Sequence, residues 1–504
     1  MVRWVLAFSV AVMVFVAGVA GNGAAATATK VPCWIVVPAG EAAACYRVRV
    51  PVYSDDGAPA HFYHLPVAVL KARASEPAGD PVIVIQGGPG ASFFHSAYPE
   101  QVSTEYLWGM TEPVRETRDV IFYDQRGVGL AEPALNCFEA DQLAASAASP
   151  PGVEVPFFDR DRAEIAGCYD RLIADGIDLS SFSTPANADD LAVIIDALGY
   201  DKVNLWGMSY GTRVALVMLR RHGDLIRSVV LDGVYPPHVR ADEQAPWATH
   251  RAFTRIFDDC ARDSWCAKAY GDIGDRFADL LESLNDKPQA IAVDDPRWPI
   301  GSEAVVDGDL LIFHMYDALY YGDAIPYVPA LVDDALKYDL SGLGWFYWYP
   351  FFADWSLDEG TFLSVTCREE RPRIRADVVA REIAKYGVYA MAGSTIMTND
   401  ICDNWPVPPS DPVEWEPVES DVPALLISGA YDPVTPPDWG EDTAGYLSNS
   451  RHFEFLGAGH VPSAANRCAS DLVAAFFDDP DPAALPTPDC RLFTEAADFS
   501  SVDW

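Results

Sequence analysis

Short apolar runs alternate with stretches of helical spacing along most of the chain, the pattern of a mostly parallel sheet covered by helices. Strands are predicted over residues 81–85, 119–123, 202–206, 228–231, 424–428 and 452–456, with helices over 187–198 and 210–222 between them and 466–477 closing the set. Ahead of these, residues 46–53 and 61–71 flank Ser54-Asp55-Asp56-Gly57 and predict an antiparallel hairpin. One spacing breaks the rhythm: nothing strand-like recurs regularly between Leu231 and Ala424. Connections within a compact domain are short, so this stretch reads as an inserted domain and not as a loop. It carries helical runs such as 274–284 and an aromatic run, Gly344-Trp345-Phe346-Tyr347-Trp348-Tyr349, and it ends in the proline-rich stretch 405–417. The aromatics are expected to form the insert's own small core, with some facing the active site.

Length and composition then narrow the class. The chain has 504 residues, half of them hydrophobic, enough for a large core enlarged by insertion. With 74 acidic against 35 basic residues the net charge is −39, a surface that repels phosphate backbones and anionic lipid. Nucleic acid is therefore excluded as a partner, and the acidity reads as solubility or adaptation to a salty medium. At the N-terminus, Arg3 precedes an apolar run over residues 4–20 and the small-residue stretch Ala24-Ala25-Ala26-Thr27-Ala28, the layout of a cleaved signal peptide. The apolar run is near the lower limit for an uncleaved anchor, and no cysteine there offers a lipid attachment point. No later segment is long and apolar enough to span a bilayer, so a secreted or periplasmic protein without stable membrane insertion is expected. All ten cysteines follow the leader, and an even count in an exported chain suggests disulfides. Short loop closure favours Cys33–Cys45, Cys137–Cys168, Cys260–Cys266, Cys367–Cys402 and Cys468–Cys490, although spacing alone leaves connectivity open. No Cys-x-x-Cys or Cys/His cluster competes for a metal. The predicted organisation is a leader over 1–28, a first core part over 29–234, a cap over 235–415 and a C-terminal core part over 416–504.

The chemistry is carried by Gly207-Met208-Ser209-Tyr210-Gly211, which has the form G-x-S-x-G and lies between a predicted strand and a predicted helix. In that setting it is a nucleophile elbow, where small flanking residues let a strained turn expose the serine hydroxyl. A serine hydroxyl needs a general base held by an acid, and on this fold they follow in the order Ser, Asp or Glu, His. Two histidines lie past the Ala424 strand. His452 starts an alternating strand and reads as structural, whereas His460 sits in Leu456-Gly457-Ala458-Gly459-His460, a flexible turn beyond a strand end. The acid belongs on the loop after the preceding strand, where Asp432 stands; Asp438 reads as a helix start, and Asp232 occupies a rarer position for the acid. Oxyanion donors are expected from the backbone N–H of Tyr210 and, in the glycine-rich loop Gln86-Gly87-Gly88-Pro89-Gly90, of Gly88.

With these residues in view, the chain resembles the prolyl and tripeptidyl aminopeptidase family of serine peptidases, from about Pro81 to Cys468 around a divergent insert. The resemblance is carried by residues 86–90, by Asp124-Gln125-Arg126-Gly127-Val128-Gly129, by the Ser209 elbow, by the Asp432 loop and by Gly459-His460. Two positions depart from it: Gln86 stands where members often have His, and Thr212 where a second Gly often follows the elbow. The exported, disulfide-rich character and the segment Ser364-Val365-Thr366-Cys367-Arg368-Glu369-Glu370 bring the chain closer to the secreted tripeptidyl-aminopeptidase-like members. The resemblance implies an α/β-hydrolase core with a large, mainly helical cap, acting on peptides with a free N-terminus. It also implies a cap glutamate that receives the substrate's protonated α-amine by charge-assisted hydrogen bonding, with Glu369 the best match and Glu370 its competitor.

The expected function is that of an exported serine aminopeptidase of prolyl or tripeptidyl type, needing no metal or organic cofactor. A carboxylesterase with the same triad is the alternative, because fold and triad do not separate amide from ester chemistry. A non-catalytic binding protein on the same fold would be expected to have lost a triad member, and Ser209, Asp432 and His460 are all present.

Overall fold

The parallel strands lie where the apolar runs predict them, and they read as continuous hydrophobic runs because helices cover both faces of the sheet. The computed structural model describes residues 27–53, 58–94, 102–137, 157–292, 303–320, 322–337, 357–390 and 401–501. The leader up to residue 26, the hairpin turn 54–57 and the aromatic run 344–349 lie outside the described residues.

The strands are β1 (Thr27–Val31), β2 (Ala43–Tyr53), β3 (Pro59–Leu70), β4 (Val82–Ile85), β5 (Val120–Tyr123), β6 (Val203–Met208), β7 (Ile226–Asp232), β8 (Gln289–Ala292), β9 (Glu303–Val306), β10 (Ala424–Gly429) and β11 (Ser450–Phe455). Nine of them form one sheet in the order β1-β2-β3-β5-β4-β6-β7-β10-β11. The first three strands are antiparallel, and β5 through β11 in that order run parallel. Every residue of β4, β5, β6 and β10 is buried. Successive side chains enter opposite faces. Ile83, Ile121, Leu205, Leu231 and Leu426 join one hydrophobic cluster, and Val82, Val84, Phe122, Trp206, Val230 and Ile427 join the other.

β1 overlaps the end of the expected leader. Thr27 and Ala28, assigned to the leader, are the first two residues of this strand, with Thr27 opposite Arg49 and Ala28 opposite Val48. A run of small residues carries no hydrophobic alternation, so the ladder to β2 was invisible in the sequence.

The helices are α1 (Phe157–Ala174), α2 (Thr184–Leu198), α3 (Tyr210–His222), α4 (Ala241–Arg262), α5 (Ser264–Tyr270), α6 (Ile273–Asp286), α7 (Gly308–Tyr320), α8 (Val328–Leu336), α9 (Glu359–Glu369), α10 (Ala376–Tyr386), α11 (Pro437–Ala444) and α12 (Arg467–Asp478). Local chemistry sets their ends. Ser183 caps α2 by accepting from the Ala186 N–H, and Gly199 closes it at φ 79°. Asn466 caps α12 by accepting from the Cys468 N–H.

The insert divides into two kinds of structure. Helices α4, α6, α7 and α8 share a cluster of their own, built on Phe253, Phe257, Phe277, Leu281, Met315 and Leu331, and α10 packs along α4. By contrast, Leu363, Val365 and Cys367 of α9, together with Trp405, belong to the same cluster as α2 and α3. The chain thus returns to the core well before residue 415. Trp405 donates through Nε1 to Ser364 Oγ at 3.1 Å, and Trp415 to the Glu369 carbonyl at 2.9 Å. All ten cysteines are paired, as Cys33–Cys45, Cys137–Cys168, Cys260–Cys266, Cys367–Cys402 and Cys468–Cys490. Among the described residues no helix is long and apolar enough to cross a membrane.

Candidate active site at the strand ends

Because the central strands are parallel, their carboxyl ends meet at one edge of the sheet, the usual place for a ligand crevice in such folds. At the end of β6, Ser209 is forced to φ 53°, ψ −125°. That conformation is costly for a side chain and is held by its neighbours. A Cβ at Gly207 would stand 2.6 Å from the Gly211 carbonyl oxygen, and one at Gly211 would stand 2.1 Å from that of Ile85. Only glycine fits at either flank, which is the physical content of the G-x-S-x-G spacing. The Ser209 N–H donates to the Asp232 carbonyl at 2.9 Å, tying the elbow to the end of β7. Thr212, one of the two departures from the family pattern, makes a clip here. Its hydroxyl donates to the Ser209 carbonyl at 2.6 Å and accepts from the Tyr235 N–H at 2.7 Å.

Across the edge, His460 Nδ1 lies 2.7 Å from Asp432 Oδ2. Asp432 is fully buried and richly satisfied. Its Oδ1 accepts from the N–H groups of Val434 at 2.8 Å and Thr435 at 2.9 Å, and its Oδ2 also accepts from the Thr435 hydroxyl at 2.6 Å. Burial alone would oppose ionisation, but the neighbouring His460 and the Thr435 donors outweigh it and hold the carboxyl below its ordinary range. The Thr435 hydroxyl is also 3.1 Å from His460 Nδ1, so one threonine touches both partners. With Nδ1–H directed at Asp432, Nε2 keeps its lone pair, and it is buried without a hydrogen-bond partner among the described residues. The Ser209 hydroxyl makes no hydrogen bond to it here; such contacts commonly tighten only with substrate bound. Gly233 lies flush against the imidazole, since a Cβ there would approach His460 Cε1 at 3.2 Å. From the insert, the Tyr320 ring meets His460 edge-on at 4.6 Å between centroids, and a Cβ at Gly459 would stand 2.4 Å from the Leu319 carbonyl oxygen. The end of α7 therefore rests directly on the His460 turn.

The other histidine and the other two aspartates fall elsewhere. His452 lies 3.0 Å from Ser428 Oγ through Nε2, and burial lowers its pKa to about 4. Asp438 sits in the first turn of α11. Asp232 turns to Ser463, not to His460.

The glycine-rich loop faces the elbow. A Cβ at Gly87 would stand 2.8 Å from Ser209 Cβ, and Gly88 adopts φ 104°, a conformation natural only to glycine. Tyr210 begins α3, so its N–H has no carbonyl within the helix to bind. Gln86 folds back and accepts the Gly87 N–H on Oε1 at 3.0 Å, while its carbonyl accepts from Gln125 Nε2 at 2.8 Å. The structure also explains Asp124-Gln125-Arg126, whose task the sequence did not show. Asp124 accepts from the Phe93 N–H at 2.7 Å, Ser92 Oγ at 3.0 Å and the Leu130 N–H at 3.0 Å, and burial raises its pKa to about 6. Arg126 forms a buried two-pronged pair with Asp190 at 2.7 and 2.6 Å. The motif braces the loop that carries Gly88.

Glu369, the residue expected to receive the substrate amine, lies enclosed between α9 and the start of α2. The residue is 3% exposed, and its oxygens accept the Thr184 N–H at 2.7 Å and the Thr184 hydroxyl at 2.6 Å. Since the Thr184 proton goes to Glu369, the Tyr210 hydroxyl 2.9 Å away donates to Thr184. Burial raises the Glu369 pKa against the pull of Arg213. Glu370 is no freer, being paired with Arg213 and held by Arg373 at 2.8 Å. A substrate ammonium would have to displace a buried partner to reach either carboxylate. Both are braces between α9 and the elbow helix α3, a role the surplus of acidic residues hid in the sequence.

The fold and the strand-end site define a serine hydrolase with the α/β-hydrolase fold. Residues 80–269 match the family model of the alpha/beta hydrolase fold, and residues 389–489 match that of TAP-like proteins. The chain is similar to serine protease Hip1 of Mycobacterium tuberculosis, 26% identical over 484 residues covering 88% of this chain and 86% of the relative. It is also similar to carboxylesterase B of the same organism, 26% identical over 487 residues, covering 87% of this chain and 84% of the relative. With the tripeptidyl aminopeptidase of Streptomyces coelicolor it shares 26% identity over 419 residues, 78% of this chain and 72% of the relative. Fold, site and these matches together make the chain similar to serine peptidases built on the α/β-hydrolase fold.

Proposed function

We propose that this protein is an exported serine aminopeptidase that hydrolyses peptide bonds near free N-termini, with Ser209 as nucleophile, His460 as general base and Asp432 as the acid that orients it. The observation that carries this reading is the 2.7 Å pairing of His460 Nδ1 with a fully buried, ionised Asp432, at the same sheet edge as the strained Ser209 elbow. His460 Nε2 takes the Ser209 proton as Oγ attacks the peptide carbonyl, and the developing oxyanion is met by the N–H groups of Gly88 and Tyr210. His460 then protonates the leaving amine, and water repeats the sequence on the acyl-enzyme to release the acid. Helices α4 to α8 of the insert, with the end of α7 resting on the His460 turn, act as the cap that limits access to short or N-terminal pieces. Five disulfides support export.

Labelling by a fluorophosphonate probe, with turnover of free and N-acetylated peptide anilides, tests this reading. The native enzyme should be labelled and should prefer free N-termini, and Ser209→Ala should lose both activities by roughly a thousandfold or more. Near-normal turnover by Ser209→Ala would sink the assignment. The relative named carboxylesterase B supports a second reading as an ester hydrolase. Faster turnover of short acyl esters and of blocked peptides than of free aminoacyl anilides would favour it.

A further inference from the structure

Asp232 closes β7, beside the Ser209 elbow. It is 0% exposed, yet it neither pairs with a cation nor touches His460. Its backbone carbonyl accepts the Ser209 N–H at 2.9 Å. Its Oδ2 accepts the Ser463 N–H at 2.8 Å and the Ser463 hydroxyl, and that hydroxyl in turn accepts from Trp206 Nε1 at 3.2 Å. Its Oδ1 is buried with no hydrogen-bond partner among the described residues. Ser463 opens the short helical turn Pro462–Ala465 directly after His460, and between them Val461 is held at φ 52°. That is a left-handed conformation which a β-branched residue adopts only under constraint. Next to Asp232, Gly233 leaves no gap between the end of β7 and the imidazole.

We propose that Asp232 is a positioning residue for the reaction: one residue fixes the nucleophile through its backbone carbonyl and the base through its carboxyl group. The side chain holds Ser463, which holds Val461 in its strained turn, which sets the placement of the His460 ring against Asp432. An unpartnered buried oxygen suits a carboxyl that carries its proton at rest, and burial does raise this group to about 7, with His460 and Asp432 as nearby charges and the Tyr106 hydroxyl also within its field.

The inference rests on the triad reading, and the experiment separates the two. Asp232→Asn and Ser463→Ala are compared with the native enzyme and with Ser209→Ala, in kcat, KM, rate of fluorophosphonate labelling and thermal midpoint. Asn keeps the acceptor for Ser463 and removes the ionisation; Ser463→Ala removes the tether and leaves the carboxyl. The expected result is a fall in kcat and in labelling rate of roughly ten- to a hundredfold for both variants with KM little changed, the scale set by small misplacements of reacting groups. In Asp232→Asn the pH profile of kcat/KM should also lose the contribution of this carboxyl's ionisation near neutrality, a change that a merely structural residue would not produce. Native kcat and an unchanged pH profile in both variants, with Ser209→Ala inactive, would overturn the role of Asp232 and leave the triad standing. An active Ser209→Ala would overturn the triad itself.

Discussion

The loops after β7 and β10 present the same residue type at equivalent strand ends, and the two aspartates end in opposite states. Asp432 has four donors around it, from Val434, from both the N–H and the hydroxyl of Thr435, and from His460, and its carboxyl is held below the ordinary range. Asp232 has the Ser463 N–H and hydroxyl on one oxygen and nothing on the other, and burial raises it to about 7. Both are fully buried. What separates them is first the His460 imidazole, which faces Asp432 at 2.7 Å, and then the donors of Thr435 and Val434. The turn Pro433-Val434-Thr435 folds back on Asp432, whereas Gly233 and Val234 lead away from Asp232. Burial sets the cost of a charge, and a neighbouring cation together with hydrogen-bond donors decides whether the charge is kept.

Substitutions at these carboxylates and their partners test the contrast. The largest effect belongs to Asp432→Asn, which leaves the shape but favours the wrong imidazole tautomer; kcat should fall on the order of 10⁴-fold, as in other Ser-His-Asp enzymes, against roughly ten- to a hundredfold for Asp232→Asn. Equal losses would mean that the two aspartates share the acid's role. A second test moves to the buried charges that do have a cation. Arg213→Met strips Glu369 and Glu370 of their common partner, so unfolding free energy in denaturant should drop by about 3–5 kcal/mol. Adding Glu370→Gln to Arg213→Met should recover part of it, and no recovery would show that packing of the arginine stem matters more than its charge.

Thr435→Val removes the hydroxyl shared by Asp432 and His460. One hydrogen bond to a charged group is worth about 1.5–3 kcal/mol, so kcat should fall by roughly ten- to a hundredfold with KM unchanged. Unchanged kcat would show that the two N–H donors suffice to hold Asp432. The pH dependence of stability is a smaller effect with a definite sign. Asp232 at about 7 and Asp242 at about 8, both raised chiefly by burial, keep protons in the native state that the unfolded chain has released. Their stabilisation is complete below the unfolded carboxyl range near about 4 and is lost as pH rises through the folded values. His452, lowered to about 4, works the other way, but only below the unfolded histidine range near about 6.5. The clean window is therefore pH 6.5 to 8.5, where unfolding free energy should decrease by about 2–3 kcal/mol. A rising thermal midpoint across that window would contradict the assignment of protons to the two aspartates. The smallest effect is one of discrimination: Glu369→Gln should change turnover of free and N-acetylated peptides by the same factor. Selective damage to the free substrates would restore Glu369 as the amine's partner.

The residues that made the site legible are those whose geometry is settled within a few positions. Gly207 and Gly211 are required by contacts that any elbow between a strand and a helix would make, and His460 is recognisable because a turn rich in glycine follows a strand. The cysteine spacings and the continuous apolar runs of β4 to β7 are similarly local, because loop closure and burial of a parallel strand depend on neighbours in the chain. Only the tertiary structure decided the fate of the carboxylates. Asp432 and Asp232 look alike in sequence, and they are told apart by partners 28 and 231 residues away. Glu369 sits in the motif that suggested an amine site, but Thr184, 185 residues earlier, takes both of its oxygens. The return of α9 and Trp405 to the core inside the supposed cap is of the same kind. A charge's environment is a sum over everything folded around it, and donors that arrive from distant segments leave no periodicity or spacing by which the sequence could announce them.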